Sequence, residues 1–292
     1  MLTRIISGAV GVVLLGAILF FHDTIVLPIA VAAIIAVMLF ELLRAVKLHK
    51  CLPILIAAEA YGIAVPIIYG ILTKLTVIGA SVPPHYEFKA WRYAHDYSIY
   101  VFGIMLLCAF VIFITWLKKH KEIRYEQVFF VLAVMILVPQ AMTTMVRMER
   151  YDGENGLFLL IMGLCGAWIA DTGAYFSGVA LGKHKLCPEI SPKKTIEGLV
   201  GGILTTAVVY TVAFSVYYGF TAKRAVIAFV TGAVCAVIGT VGDLSASMVK
   251  RQIGFKYYGK IMPGHGGLMD RFDSVLFVLP TFYAFIALFG VQ

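Results

Sequence analysis

This sequence is short of charge. Lys, Arg, Asp and Glu make up only 14% of its 292 residues, where a soluble domain carries about 25%. Apolar residues account for 61%, more than the interior of a water-soluble fold of this size can hold, so lipid must be the solvent. Cysteine is also scarce. Cys108, Cys165 and Cys235 fall in apolar runs and Cys51 and Cys187 in loops, a distribution with no pairing pattern and nothing that suggests a disulfide scaffold or a zinc site. No long hydrophilic segment, linker, low-complexity tract or clear repeat interrupts the chain, which therefore reads as one integral membrane domain over residues 1–292.

What is present is a series of apolar runs, each near the ~20 residues that cross a bilayer core. Nine are predicted: Ile5–Phe21, Ile25–Leu43, Ile54–Ile78, Ile99–Leu117, Val128–Met145, Leu157–Ala180, Ile196–Tyr218, Ala225–Val249 and Phe272–Gly290. The first ends in Phe20-Phe21-His22 rather than a small-residue cleavage site, so it is expected to stay as a span. The third is the least regular, because it contains Glu59, Pro66 and Lys74. The expected fold class is all-α, a polytopic transmembrane helical bundle of about nine spans.

Basic residues orient that bundle. Alternate loops hold Arg4; Arg44, Lys47 and Lys50; Lys118, Lys119, Lys121 and Arg124; Lys183, Lys185, Lys193 and Lys194; and Lys250, Arg251, Lys256, Lys260 and Arg271. The opposite loops hold only Lys89, Arg92, Arg147, Arg150, Lys223 and Arg224. This bias predicts an N-in, C-out arrangement in the inner (plasma) membrane. Loops facing an anionic leaflet explain most of the net charge of +8, so no nucleic-acid partner is implied.

The chain is uneven in polarity. Residues 1–155 read mainly as scaffold spans and 156–292 as the catalytic half, where acidic residues enter the spans and Lys, Gly and His fill the loops. A carboxylate at a bilayer centre costs roughly 2.5–3.5 kcal/mol on insertion scales, so such groups usually face a wet interior and act there. Glu41 and Glu59 stand alone in their spans and read as packing or interfacial residues. Asp270 and Asp273, at i and i+3, are expected on one face in the first turn of the last span. There the helix start itself favours negative charge, so capping is the plainer reading of the pair alone. Asp243, deep in the preceding span, changes the balance, because a hairpin of the two spans lets three carboxylates meet. Such a trio repels itself unless a cation binds, and its oxygen donors suit Mg²⁺.

The loops supply the opposite charge. Lys193 and Lys194 precede Glu197 at the start of the seventh span, and Lys250, Arg251 and Lys256 lie between Asp243 and Asp270. Gly264, Gly266 and Gly267 lack a Cβ, so their backbone N–H groups can approach phosphate oxygens, with His265 among them. Together these residues predict an Mg²⁺–polyphosphate site. Gly178-x-x-x-Gly182-Lys183 is one residue short of a phosphate loop and has His184 where Ser or Thr would be needed. The spacings Gly198/Gly202 and Gly8/Gly11 point to close helix packing.

These residues also carry a resemblance. Ser247-x-Val249-Lys250-Arg251, Lys256-Tyr257-x-Gly259, Met262-Pro263-x-His265-Gly266-Gly267-Leu268 and Asp270-Arg271-Phe272-Asp273 form a long pattern similar to the signature of phosphatidate cytidylyltransferases. Asp171-Thr-Gly-Ala-Tyr175, Gly182-Lys183-x-Lys185 and Ser191-Pro-Lys-Lys-Thr-x-Glu-Gly198 resemble further segments of that family. Tyr257 stands where the family usually has Asp, and Met262 where it usually has Leu, Ile or Phe.

The resemblance implies an enzyme that joins CTP to phosphatidate, forming CDP-diacylglycerol and pyrophosphate in phospholipid biosynthesis. It assigns Asp243, Asp270 and Asp273 to Mg²⁺, with room for a second metal ion. Lys193, Lys194, Lys250, Arg251, Lys256 and Arg271 become candidates for CTP or the lipid phosphate, His265 and the flanking glycines for the phosphates, and Asp171 and Glu197 for supporting site positions. The expected partners are CTP, phosphatidate and membrane lipid, a homodimer being left open. Two other readings stand beside this one: a CTP-dependent polyprenol or phytol kinase, and a transporter that uses intramembrane carboxylates. Transporters usually place their sites at the midplane between two repeated halves, whereas here the polar groups gather in one half.

Overall fold

Apolar runs surrounded by lipid must satisfy every backbone N–H and C=O within themselves, and a helix does this locally. The structure, a computed structural model, describes residues 2–79, 87–151, 155–264 and 266–290. Each of the nine runs is helical. In chain order the elements are α1 (Leu2–Phe20), α2 (Val26–Ala45), α3 (Leu52–Gly79), α4 (Glu87–Lys118), α5 (Tyr125–Tyr151), α6 (Gly156–Leu181), β1 (Lys185–Cys187), β2 (Ser191–Thr195), α7 (Ile196–Tyr218), α8 (Ala222–Ile253), α9 (Met269–Phe272) and α10 (Val275–Phe289).

Eight helical stretches among the described residues are long and apolar enough to span a membrane, and Ser7–Phe20 forms a shorter apolar one. The protein is a polytopic membrane helical bundle. Its exposed surface fits that solvent: Val12, Phe110, Val179 and Val216 are all more than 65% exposed, as lipid-facing side chains should be. Pro66, Pro139 and Pro280 lie inside helices, a placement that membrane helices tolerate.

Two local features differ from the sequence expectation. The loop after α6 is not featureless: β1 and β2 pair antiparallel, with Lys185 opposite Thr195 and Cys187 opposite Ser191. The last span is not one continuous helix either. A turn at Asp273-Ser274 separates α9 from α10, and Asp273 Oδ1 accepts a hydrogen bond from Ser274 N at 2.8 Å. An Asp side chain that takes a neighbouring backbone donor competes with the helix ladder, which accounts for the break.

The chain forms two compact units. One comprises residues 1–153 with 257–269, and the other 154–256 with 270–292. The first packs α2, α3 and α5 through fully buried Ile35, Leu39, Ile54, Ala58, Met135 and Met142.

The second unit is built on small residues. A Cβ on Gly198 would lie 2.8 Å from Ala174 O, one on Gly202 2.7 Å from Ala170 O, and one on Gly232 2.8 Å from Thr206 O. Backbone therefore meets backbone where α7 crosses α6 and α8, the close approach that membrane helices use in place of a hydrophobic driving force. Tyr210, fully buried, donates its hydroxyl to Met162 O at 2.8 Å. The glycine spacing Gly198/Gly202 thus serves packing, as the sequence suggests.

Gly202→Ala tests this seam. The added methyl would meet Ala170 O at 2.7 Å and Ala174 Cβ at 3.2 Å, neither of which can rotate away, so the variant is expected to lose about 1–3 kcal/mol, the usual cost of overpacking. Gly16, which has nothing within 4 Å of its Cβ position, is the control. In detergent, Gly202→Ala should melt at a lower temperature than the parent and Gly16→Ala should not; equal melting temperatures for both variants would refute the packing account.

Candidate active site

The site grows from four segments of the second unit. α6 carries Asp171 in its second half. The hairpin brings Lys193 and Lys194 to the start of α7, where Thr195 caps the helix by accepting from Gly198 N at 3.1 Å. α8 presents Asp243, Ser247 and Lys250 at i, i+4 and i+7, one stripe of the helix. Asp270 lies on α9 and Asp273 in the turn between α9 and α10.

Two lysines hold this group together. Lys194 Nζ lies 2.6 Å from Asp243 Oδ2. Lys250 Nζ lies 2.9 Å from Asp270 Oδ1 and 3.9 Å from Asp273 Oδ2. The Lys250–Asp270 pair is well removed from solvent, with side chains 12% and 4% exposed. Ser247 Oγ reaches Asp243 Oδ1 at 3.5 Å, the outer limit of a hydrogen bond. The carboxylates also act on one another: Asp243 and Asp171 both act electrostatically on Asp273, and Lys194 and Asp243 act on Asp171.

The helical break leaves Asp270 and Asp273 facing one ammonium group, although they do not share a continuous helix as the i, i+3 spacing predicts. The lysine–carboxylate pairing itself is not legible in the sequence, where these lysines read as phosphate ligands or topogenic charges.

Beside the cluster is a cleft of about 320 Å³. Asp171, Lys193, Lys194, Thr195 and Thr240 provide its polar lining, and Tyr175, Val179, Leu186 and Leu199 line its walls. Such a cleft offers charge to a polar headgroup and a hydrocarbon surface to whatever is attached to it. A second hollow of about 500 Å³, at the α4–α5 connection around Trp116, His120 and Arg124, contains none of the expected site residues.

The remaining expected residues are placed as follows. Glu197 turns back on the hairpin, accepting from His184 N at 3.2 Å and pairing with His184 Nδ1 at 2.7 Å. Arg251, Lys256 and Arg271 are exposed, and Arg251 Nε points at Ile190 O, 3.5 Å away in the hairpin. α8 stops just past Lys250 and Arg251 because Gly254 adopts a left-handed conformation, φ +78°, and donates its N–H to Arg251 O.

Gly264, Gly266 and Gly267 belong to the first unit. Gly264 and Gly266 have positive φ, +79° and +94°, which explains glycine there. Gly266 N donates to Met262 O at 3.1 Å, so this N–H is engaged within the loop. His265 lies outside the described residues. Gly178 and Gly182 pack on Thr195, which accounts for their phosphate-loop-like spacing.

The donor set bears on metal binding. Among the described residues no three His, Cys, Asp or Glu side chains converge on a common point, so Asp243, Asp270 and Asp273 are not a ready-made cage. Mg²⁺ does not require one. It is usually held by one or two carboxylates plus substrate phosphates and water, all oxygen donors, and mutually repelling carboxylates beside a cleft fit that chemistry.

The residue the sequence undervalues is Glu41. Its carboxylate, on α2 in the first unit, is 1% exposed and accepts from Leu268 N at 3.1 Å and Met269 N at 2.9 Å. Its only sequence signal is a lone acid within an apolar run.

Comparison with known proteins agrees with this chemistry. The phosphatidate cytidylyltransferase of Bacillus subtilis is 33% identical over 291 residues, covering 98% of each chain. Phosphatidate cytidylyltransferases of Staphylococcus saprophyticus and Staphylococcus aureus are 42% and 43% identical over 127 residues, or 44% of this chain and 48% of theirs. The family model described as the cytidylyltransferase family matches residues 2–289. A match over nearly the whole chain, on a helical bundle whose lysine–carboxylate cluster borders an apolar-walled cleft, shows that this chain belongs to the cytidylyltransferase family.

Proposed function

We propose that this cytidylyltransferase joins phosphatidate to CTP at the cluster of Asp243, Asp270, Asp273, Lys194 and Lys250, releasing CDP-diacylglycerol and pyrophosphate. The observation that carries the assignment is the pairing of both lysines with carboxylates beside the cleft. Two ammonium groups so held are already oriented for a polyphosphate. An apolar wall of Tyr175, Val179 and Leu199 suits acyl chains entering from the bilayer.

The chemistry asks little of a base. A phosphate oxygen of phosphatidate, already ionised at neutral pH, attacks the α-phosphorus of CTP in line. The new P–O–P bond forms as the bond to the β-phosphate breaks, and pyrophosphate leaves with that electron pair. Catalysis is then mostly alignment and charge neutralisation. Lys194 and Lys250 exchange their carboxylate partners for phosphate oxygens, while Lys193, Arg251, Lys256 and Arg271 add positive charge at the exposed rim. Asp243, Asp270 and Asp273 would hold Mg²⁺, which neutralises and aligns the polyphosphate when bound. The site faces the cytoplasm of the inner membrane, in line with the basic loops that flank it.

The decisive assay combines purified protein, Mg²⁺, phosphatidate and CTP labelled at the α-phosphate, followed by lipid extraction. Label should enter the lipid. Transfer of γ-label instead would identify a kinase, and no transfer would refute the reading.

Asp270→Asn and Asp273→Asn remove a charge at constant size. Each is expected to lower kcat about 10²–10³-fold, the loss typical of one transition-state electrostatic group, in protein that still inserts and purifies. Full activity of both variants at limiting Mg²⁺ would sink the metal assignment.

Orientation has its own test. Cys187 is half-buried on β1 and Cys51 is buried. In a Cys51→Ala background, a membrane-impermeant thiol reagent should label Cys187 in inside-out vesicles and not in intact cells, and Mg²⁺–CTP should slow the reaction. Labelling from outside would reverse the topology; indifference to nucleotide would move the pocket elsewhere.

Tyr257 is exposed, and an Asp at that position would follow Lys256 directly. An exposed ion pair of that kind contributes about 0–1 kcal/mol. The parent should therefore be active, and Tyr257→Asp should change kcat/KM less than about tenfold, or roughly 1.4 kcal/mol. An inactive parent rescued by the substitution would show that the site needs a fourth carboxylate.

A further inference from the structure

Residues 257–269 form the loop that leads into Asp270, and α2 grips both of its ends. Glu41 accepts from Leu268 N and Met269 N at the C-terminal end. Arg44, three residues further along α2, donates from Nη2 to Tyr258 O at 2.9 Å near the N-terminal end. Residues three apart share a helix face, so one stripe of α2 holds both. Between these anchors the chain passes close over the Glu41 carboxyl: a Cβ on either Gly259 or Gly267 would collide with it. Ser7 Oγ donates to Pro263 O at 3.1 Å near the loop tip. The next residue after Met269 is Asp270, on the single turn of α9 that Met269 opens.

A carboxylate buried in an apolar bundle carries a high solvation cost and persists only where hydrogen bonds or counter-charges offset it. Two of the donors that Glu41 uses are backbone N–H groups just before a residue of the reacting cluster. Gln in its place would keep the size but aim an NH₂ group at an N–H donor, leaving one of them unsatisfied.

We infer that Glu41 and Arg44 are positioning residues for cytidylyl transfer: they clamp the 257–269 loop and thereby set where Asp270 stands. This inference rests on the reading that Asp270 belongs to the catalytic cluster. A shift of about 1 Å in a reacting group can cost on the order of 10²-fold in rate, so the clamp should act on kcat rather than on substrate affinity.

The test compares full-length parent and Glu41→Gln in detergent by hydrogen–deuterium exchange and by transfer of labelled cytidine into lipid. Expected for Glu41→Gln are faster exchange confined to residues 257–269, unchanged exchange in α3 and α5, and a kcat lowered about 10²-fold with KM for CTP changed less than about threefold. Arg44→Lys, which keeps a charge and a donor on a different geometry, should fall between the two. Faster exchange throughout the first unit would reduce Glu41 to a stability residue and overturn the inference. So would a loosened loop with kcat unchanged, or a lowered kcat without loosening. A parent that transfers no cytidine would refute the functional reading itself, leaving the exchange comparison to judge the clamp alone.

Discussion

An ionised carboxylate in an apolar bundle cannot be left to the solvent, because the surroundings supply none, and its partners must come from the protein. This requirement organises the second unit of the chain. Lys194 must reach Asp243, so β2 has to deliver it to the start of α7. Lys250 must reach Asp270 and Asp273, so α8 has to run far enough to present it and then stop at Gly254. Breaking a buried pair by removing one partner costs about 3–5 kcal/mol, enough to make Lys250, whose pair with Asp270 is well removed from solvent, a structural member of the fold. Each lysine thus stands against a carboxylate before any substrate arrives, while the acids still outnumber the ammonium groups.

The same pairs suit the lysines to polyphosphate chemistry. An ammonium group already fixed against a carboxylate has lost its rotamer freedom on folding, so less is lost when a phosphate oxygen takes the carboxylate's place. In the reaction proposed above, the carboxylates released by that exchange would be the ones offered to a hard cation.

Much of this was legible in the sequence, and the parts that were not share a cause. The nine apolar runs predicted nine helices because lipid allows a spanning segment little else. The acidic residues after position 155 point to the lysine–carboxylate cluster because a charge in a span is costly. The β1–β2 hairpin escaped because Ser191-Pro192-Lys193-Lys194-Thr195 has no alternating apolar pattern and contains a proline, both of which argue against a strand. The break at Asp273 escaped because it depends on which donor a side chain accepts from. Glu41 was visible as an oddity, but its partner Met269 lies 228 residues away in the chain and contributes a backbone N–H, which no residue type announces. Pairing between distant side chains is likewise a property of the fold, so the sequence offers Lys194 and Lys250 as candidate phosphate ligands but not as the partners of Asp243 and Asp270.

The backbone-to-backbone seam between α6 and α7 has a consequence for how the protein can diversify. Ala170 O against Gly202 and Ala174 O against Gly198 fix the separation of the two helices by covalent geometry, with no rotamer to absorb an error. Asp171 on one helix and Lys194 at the foot of the other inherit that tolerance. The cleft walls do not, since Tyr175, Val179 and Leu199 project from the seam and can change volume without moving it. A lineage built on this frame can reshape its cleft walls one side chain at a time, while the spacing of its charges stays under a constraint that admits almost no drift.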